Sequence, residues 1–319
     1  MITLGRFHYP DPVVVLAPMA GVSDLPFRRL CQQSGAHYSV AEMISAKPDL
    51  MATELAETRL SFDSDANTPR IVQLVGGDAA LMAEAAQMMV AKGADIIDIN
   101  MGCPAKVVGK QQAGSALLAD ETQVAKILEK TVNAVRVPVT LKTRLGPDCG
   151  RVNIARIARI AEDAGVQLLA VHGRSRAQKF RGDARYEDIA QVKKNLRIPV
   201  IVNGDIDCPD KAKTLIARHG FDGVMIGRAA QGNPWLFTEM RRALDPAFAA
   251  SLPAPAALIH EHTEALHTLY GRQGLLIARK HLHSYGQTFH LPRAYREAVN
   301  TALDPAAQLA LIPQWFPHA

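Results

Sequence analysis

Short apolar runs alternate along this 319-residue chain with longer segments whose apolar residues recur at helical spacing. Eight of the runs are rich in Val, Ile and Leu, and most are apolar on both faces, which is typical of parallel strands covered by helices. The pattern therefore predicts eight parallel strands, at Val13–Met19, Tyr38–Met43, Arg70–Val75, Ile96–Asn100, Val137–Arg144, Leu168–His172, Val200–Asn203 and Gly223–Ile226.

Start and stop signals mark the helices between these strands. Asp24 and Asp78 stand where helix N-caps are expected, because a short carboxylate accepts hydrogen bonds from the first free backbone N–H groups. Gly35 and Gly93 end the same two segments. The repeated strand, helix, glycine pattern favours an α/β fold, a (β/α)8 or TIM barrel. A doubly wound open sheet is the alternative, but the chain lacks the G-x-G-x-x-G turn usual there.

The alternation stops after Gly227-Arg228. Residues 245–257 are rich in Pro and Ala, which indicates a linker, and only helices are predicted beyond them. These helices are Ala256–Tyr270, Gly274–Thr288 and Arg293–Leu303. The sequence therefore predicts two domains, a catalytic barrel at residues 1–245 and a small all-helical domain at residues 246–319.

Composition places the chain among ordinary globular proteins, with 48% hydrophobic and 21% charged residues. A net charge of +5 mildly favours an anionic partner. The four cysteines are widely spaced and form no C-x-x-C pair, so we expect no zinc site and no disulfide scaffold, and a reducing cytoplasm as the location. No signal peptide or membrane-spanning run is recognisable, so we expect no membrane partner.

In such a barrel the active site lies at the carboxyl ends of the strands. Polar or reactive residues stand at nearly every predicted strand end, and eight such positions in register favour a ligand site over isolated buried polar groups. They are Pro18-Met19-Ala20, Glu42, Gln73, Asn100 with Cys103, Lys142 with Arg144, His172 with Arg174, Asn203-Gly204-Asp205, and Gly227-Arg228.

Two of these residues carry the candidate chemistry. Cys103 follows a buried strand on a turn shaped by Gly102 and Pro104, although a cysteine alone is more often a buried structural residue. Lys142 lies in an apolar strand, where a cation is costly without an anionic or electron-rich partner. Together they predict a ligand site with a cation facing one end of the ligand and a cysteine across the site.

The last two strand ends indicate a phosphate site. Gly204 and Gly227 let the backbone approach an anion closely, Arg228 adds charge, and barrels commonly bind phosphate at this position. Flavin mononucleotide (FMN) fits this reading, with Lys142 near N1 and O2 of the ring and Met19 beside it. Gln73 and Asn100 are then placed to bind the ring or a substrate base.

At these residues the chain resembles the tRNA-dihydrouridine synthases, most closely the bacterial B-type branch. The resemblance covers nearly the whole chain. Its most specific motifs are NMGCP and AGSALL, and the loop Arg176–Gly182 departs from it by the extra basic residues Lys179 and Arg181. The matching segments are 17–28, the Gln73 strand, 98–106, 113–118, 139–146, 172–176, 203–206, 225–235 and 278–287.

The resemblance implies an FMN-dependent oxidoreductase that reduces the C5=C6 bond of uridine in the D loop of tRNA. It implies NADPH as the electron donor, hydride transfer from flavin N5 to C6, and a proton from Cys103 to C5. A thiol is ordinarily protonated at neutral pH, which suits that role. The implied FMN contacts are Pro18, Met19, Ala20, Gln73, Lys142, His172, Asn203, Gly204, Asp205, Gly227 and Arg228.

A tRNA substrate requires a cationic surface near the site. Asn100, Arg144, Arg174, Arg279 and Lys280 are the residues that we expect to contact it, the last two from the helical domain. Two other classes stay open from the residues alone. One is a flavin barrel that acts on a free small molecule, such as a dihydroorotate dehydrogenase, and the other is an aldolase-like barrel in which Lys142 forms a Schiff base.

Overall fold

The computed structural model describes residues 1–10, 12–51, 53–62 and 67–317. Within these residues nine strands form one curved parallel sheet, and two more form an antiparallel hairpin before it. The strands are β1 (Ile2–Leu4), β2 (Phe7–Tyr9), β3 (Val13–Leu16), β4 (Tyr38–Ser39), β5 (Ile44–Ser45), β6 (Ile71–Val75), β7 (Ile96–Met101), β8 (Val139–Arg144), β9 (Leu168–His172), β10 (Val200–Asn203) and β11 (Gly223–Ile226).

The sheet closes into a barrel through one short segment of chain. Its order is β4-β3-β11-β10-β9-β8-β7-β6-β5, so the two outermost strands are consecutive in sequence. β4 pairs with β3 and β5 with β6, while the Ala41 N–H between them donates to the carbonyl of Ile71 over 3.2 Å. The predicted second strand is therefore present as two short pieces of one barrel strand, and the predicted TIM barrel is confirmed.

The hairpin of β1 and β2 closes the amino-terminal end of the barrel. Ile2, Leu4 and Phe7 are buried in a cluster with the first residues of several barrel strands, among them Ile96 and Leu168. The sequence analysis missed this hairpin, because two runs of three residues are too short to show a strand period.

Helices follow the barrel strands as predicted, and the described residues contain fourteen of them. They are α1 (Leu25–Gln33), α2 (Pro48–Met51), α3 (Glu54–Arg59), α4 (Ala79–Ala91), α5 (Lys106–Lys110), α6 (Glu121–Ala134), α7 (Ile154–Asp163), α8 (Tyr186–Lys194), α9 (Pro209–His219), α10 (Leu236–Leu244), α11 (Pro255–Tyr270), α12 (Gly274–Thr288), α13 (Arg293–Thr301) and α14 (Pro305–Trp315). The predicted caps are confirmed, since the Asp24 carboxylate accepts from Phe27 N–H and that of Asp78 from Ala80 N–H.

The carboxyl-terminal part is helical, as expected. The predicted boundary at residue 245 falls directly after α10, and α11 and α12 pack as neighbours with α11 also against α1 of the barrel. α14 was not predicted, although Asp304 caps it and Pro305 opens it. None of the described helices combines the length and the apolar character needed to cross a membrane.

Candidate active site

A cavity of about 660 Å³ opens at the carboxyl ends of the barrel strands. It brings together every residue that the sequence predicted for the cofactor, together with Cys103, Asn100 and Arg144. Met43, Phe180, Ile206, Asp207 and Gln231 are further lining residues that the sequence analysis missed. The predicted residues are Pro18, Met19, Ala20, Gln73, Lys142, His172, Asn203, Gly204, Asp205, Gly227 and Arg228.

One end of the cavity is a backbone cradle formed after β10 and β11. The N–H groups of Gly204 and Gly227 have no protein acceptor in the described part of the chain. Gly204 has φ +120°, and a Cβ there would lie 3.2 Å from Cδ2 of His172, so this position requires glycine. A Cβ at Gly227 would meet nothing closer than Met19 Sδ at 3.8 Å, which leaves open space for an anion.

Arginine side chains surround this cradle. Arg174 and Arg228 both pair with the Asp205 carboxylate, the latter over 2.7 Å. The hydrogen bond from Arg174 is the main cause that holds the pKa of Asp205 below its usual range. Arg174 is buried and does not line the cavity. Its ion pair with Asp205 therefore fixes the loop after β10 from the side away from the cavity. Its predicted contact with the substrate stays a prediction.

Lys142 lies at the end of β8 with its side chain in the cavity wall. Its Nζ donates to Asn203 Oδ1 over 2.9 Å, and Asn203 Nδ2 in turn donates to the carbonyl of Met225. Burial lowers the pKa of Lys142 to about 8, with Arg144 adding to the effect. Among the described residues no carboxylate bonds to this buried cation, which is held toward the cavity and suits an electron-rich ligand atom.

His172 is kept neutral beside these cations. Burial, followed by the charges of Arg144 and Lys142, lowers its pKa far below the ordinary value. A neutral imidazole can offer one N–H donor and one nitrogen acceptor to a ligand.

A chain of hydrogen bonds fixes the polar wall formed by β6 and β7. Asp98 accepts from Gln73 Nε2 over 2.7 Å and from Thr140 Oγ1 over 2.6 Å, and Gln73 Oε1 accepts from Asn100 Nδ2 over 2.8 Å. Burial raises the pKa of Asp98. The sequence analysis did not single out Asp98, although its charge inside an apolar strand was a usable signal.

The same network positions Cys103. Asn100 Oδ1 accepts from the N–H groups of Gly102 and Cys103 at 3.0 and 2.9 Å, and Ser115 Oγ donates to the carbonyl of Cys103 over 2.9 Å. Gly114, with φ +61°, lets the following segment approach, since a Cβ there would lie 2.8 Å from the Cys103 carbonyl oxygen. The cysteine is partly exposed and lines the cavity, which excludes the reading of a buried structural residue.

Arg144 connects this cysteine loop to the loop at residues 176–182. Its guanidinium donates to the carbonyls of Gly102 and Lys179, each over 2.7 Å, and burial lowers its pKa to about 10. Phe180 from that loop lies beneath two guanidinium groups, 5.3 Å from Arg144 and 4.7 Å from Arg228. The mouth of the cavity therefore carries an aromatic ring between two cations.

Three further predicted residues lie outside the cavity. Glu42 is buried, accepting from Gly21 N–H over 2.7 Å and pairing with Arg59. Arg279 donates to the carbonyl of Ala302 over 3.0 Å, and Lys280 is exposed beside Gly21, near the cavity rim. The RNA contacts predicted for Arg279 and Lys280 stay predictions.

The barrel and its cavity define a (β/α)8-barrel enzyme with an anion cradle, a buried lysine and a presented thiol. Residues 15–318 match the family model described as dihydrouridine synthase (Dus). The chain belongs to the dihydrouridine synthase family.

Individual relatives agree with this assignment and with the predicted B-type branch. The chain is 47% identical over 320 residues to tRNA-dihydrouridine synthase B of Pseudomonas aeruginosa, covering 99% of this chain and 96% of that protein. It is 50% identical over 311 residues to tRNA-dihydrouridine synthase B of Xanthomonas campestris pv. campestris, covering 96% and 93%. A crystal structure of the Amycolatopsis orientalis BexX/CysO complex gives a TM-score of 0.49 at 16% identity over 79% of this chain and 98% of that one, a likeness too slight for any argument.

Proposed function

We propose that this protein reduces the C5=C6 bond of uridine in the D loop of tRNA to 5,6-dihydrouridine, with bound FMN and with NADPH as the electron donor. The observation that carries the proposal is the joint placement of Cys103, Lys142 and the backbone cradle on one cavity. Membership of the dihydrouridine synthase family supports the same reaction. The proposed place of action is the cytoplasm, where tRNA is the available substrate.

The residues of the cavity fit FMN from end to end. The free N–H groups of Gly204 and Gly227, with the Arg228 guanidinium, suit the phosphate. Lys142 suits the electron-rich N1 and O2 edge of the flavin ring. The side-chain amide of Gln73, which also lines the cavity, suits a polar atom elsewhere on the ring. Bound FMN would supply the hydride that reaches C6 of the uridine base.

The protein's own residues complete the reduction. Once C6 is reduced, negative charge develops at C5 and O4, and an acid must deliver a proton to C5. Cys103 lines the cavity and carries a transferable proton, and Asn100 holds its backbone in place through two N–H bonds. Lys142 would hold a positive charge beside the N1 and O2 edge of bound FMN and would stabilise negative charge there.

A uridine in folded RNA reaches the bottom of this cavity only if it leaves its stack. We propose that Arg144 and Asn100 meet the extruded base, and that Arg279 and Lys280 belong to the cationic surface toward the RNA. Lys280, exposed at the rim, is the best placed of these for a phosphate.

The test is reconstitution on a tRNA transcript that contains no dihydrouridine. The purified protein should release FMN on acid treatment in about one-to-one stoichiometry, as one barrel site requires. With NADPH it should form dihydrouridine in the transcript, detected by mass spectrometry after nuclease digestion. A protein that takes up no FMN contradicts the cofactor assignment, and a flavoprotein that reduces free uridine or orotate but not tRNA contradicts the substrate assignment.

A further inference from the structure

A second cluster of polar side chains lies away from the cavity, where α1 of the barrel meets α11 and α12. It consists of Asp24, His262 and His281, and is called here the interhelix cluster. The three residues are 5%, 3% and 4% exposed. One ligand atom from each lies within 4.8 Å of the other two, and Asp24 Oδ2 is 4.0 Å from His281 Nε2.

The hydrogen bonds around the cluster leave its inner atoms without partners. One oxygen of Asp24 accepts from Phe27 N–H, and the other lies 3.3 Å from the hydroxyl of Tyr270. His262 Nδ1 bonds to the hydroxyl of Tyr285 over 2.8 Å. The Nε2 atoms of both histidines are buried and have no hydrogen-bond partner in the described residues. Two unpartnered nitrogens beside one carboxylate in a dry site call for a ligand.

We propose that the interhelix cluster binds one zinc ion, which joins the barrel to the carboxyl-terminal helices. Two imidazole nitrogens and a carboxylate oxygen form a recognised zinc donor set, with bonds of about 2.0–2.2 Å. Tetrahedral geometry then places ligand atoms about 3.3–3.5 Å apart, so on binding the ligand atoms must draw together from separations of up to 4.8 Å. The fourth position is available to the Tyr270 hydroxyl, which lies 3.3 Å from Asp24 Oδ2.

The surroundings of the cluster support a cation site. The Nδ1–H of His262 can donate to the Tyr285 hydroxyl, which is the outer contact that orients a metal-bound imidazole through its other nitrogen. Phe27 lies against both histidine rings, with ring centroids 5.7 and 5.4 Å away, and excludes water.

The charged side chains that act on the cluster are Arg28 on α1, Glu42 between β4 and β5, and Lys280 on α12. Arg28 is the neighbouring cation, and its guanidinium donates to the carbonyls of Ser23 and Ser61. The buried carboxylate of Glu42 carries the same sign of charge as the Asp24 carboxylate and repels it, while the exposed ammonium of Lys280 acts on His281 from α12. Glu42 is balanced by its ion pair with Arg59, so the carboxyl group of Asp24 faces one buried guanidinium, that of Arg28.

The experiment is a metal titration of the flavin-loaded protein. After dialysis against EDTA, zinc sulfate should bind at one equivalent per chain by isothermal titration and by elemental analysis, and should raise the melting temperature. His262→Gln and His281→Gln should each lose this zinc and the zinc-dependent rise in melting temperature. His260→Ala, an exposed position on the same helix as His262, is the matched control and should keep both.

Anomalous scattering at the zinc edge in crystals of the unmodified protein locates the ion even where a variant fails to fold. A peak between Asp24 and the two histidines supports the proposal. No bound zinc, zinc at another place, or full binding by both glutamine variants overturns it, and the cluster is then a set of buried groups sharing a proton.

Discussion

The thiol of Cys103 is presented to the cavity by its neighbours. Asn100 accepts hydrogen bonds from the N–H groups of Gly102 and Cys103. Arg144 donates to the carbonyl of Gly102, and Ser115 donates to the carbonyl of Cys103. Each of these bonds fixes the backbone of the cysteine loop and none of them engages the sulfur, as the proposed proton transfer requires.

Replacement of Cys103 by alanine should separate the two halves of the reaction. FMN content and flavin reduction by NADPH should be unchanged, because the phosphate cradle and Lys142 are untouched. Dihydrouridine formation should fall roughly 10²–10⁴-fold, the usual contribution of a general acid. Stopped-flow flavin reduction and tRNA turnover measure the two halves, and equal turnover by the variant would rule out the proton transfer.

Lys142 gives a pH signature in the flavin-free protein. Burial lowers its pKa from 10.5 to about 8, and unfolding restores the ordinary value. Between about pH 8 and 10.5 the unfolded chain therefore binds more protons than the folded protein. The free-energy cost of the buried ammonium to the folded state is complete below about pH 8 and disappears as the pH rises toward 10.5.

Lys142→Met carries no charge and isolates this effect. Relative to that variant, the unmodified flavin-free protein should gain stability between pH 8 and 10.5. Urea unfolding of both proteins at pH 7, 8.5 and 10 measures the gain. If the difference in unfolding free energy between the two proteins stays constant over this range, the lowered pKa of Lys142 is contradicted.

The residues of the cavity were largely predictable because a barrel gathers its strand ends. Gln73, Lys142 and Asn203 each stand at such an end in the sequence, and all line the cavity. Contacts within the wall were not predictable. The bond from Gln73 to Asp98 joins neighbouring strands and depends on their register, and Phe180 reaches the mouth from a loop without any repeating pattern.

At the scale of elements, the short 3-10 helix Gly114–Ala119 supports the cysteine loop. Gly114→Ala should cost roughly 1–3 kcal/mol, since φ +61° and a contact of 2.8 Å with the Cys103 carbonyl both oppose a Cβ. Turnover on tRNA should fall while FMN content is kept.

Gly109→Ala is the matched control on the neighbouring helix α5. Its Cβ would meet only the mobile end of Arg176, at 2.9 Å, and alanine favours a helix over glycine. Chemical unfolding and turnover assays compare the two variants. A Gly114 variant as stable and active as the Gly109 variant would show that the close approach is not needed.

Long periodic elements were predicted well and short ones were not. α12 begins and ends at the predicted residues, because fifteen residues display the helical period several times. The pieces β4 and β5 have two residues each, and the pairing that defines them is made with distant strands. Their separation is set by the closing of the barrel and not by local sequence.

At the scale of the whole molecule, the carboxyl-terminal helices have two proposed roles, contact with RNA and packing on the barrel. Two neighbouring substitutions on α12 distinguish these roles. Lys280→Glu should weaken tRNA binding and lower the slope of log affinity against log salt by about one, because one phosphate contact is lost. Its melting temperature should not change, since Lys280 is exposed.

Arg279→Glu is the informative comparison. It removes the bond to the Ala302 carbonyl, so it should lower the melting temperature as well. FMN content should be normal in both variants. Unchanged tRNA affinity and salt slope for Lys280→Glu would exclude this residue from the RNA surface.

The two-piece second strand has a consequence for how the cavity is reached. β4 and β5 each align only two residue pairs with their neighbours, whereas β7 and β8 align five, and Met43 of the cavity lining lies in the gap. We therefore expect the barrel wall to open locally here more readily than at β7 and β8, next to the mouth of the cavity. Amide hydrogens at Ala41 and Ile44 should exchange with deuterium faster than those of β7. Bound flavin should slow this exchange, because it would stabilise the closed wall.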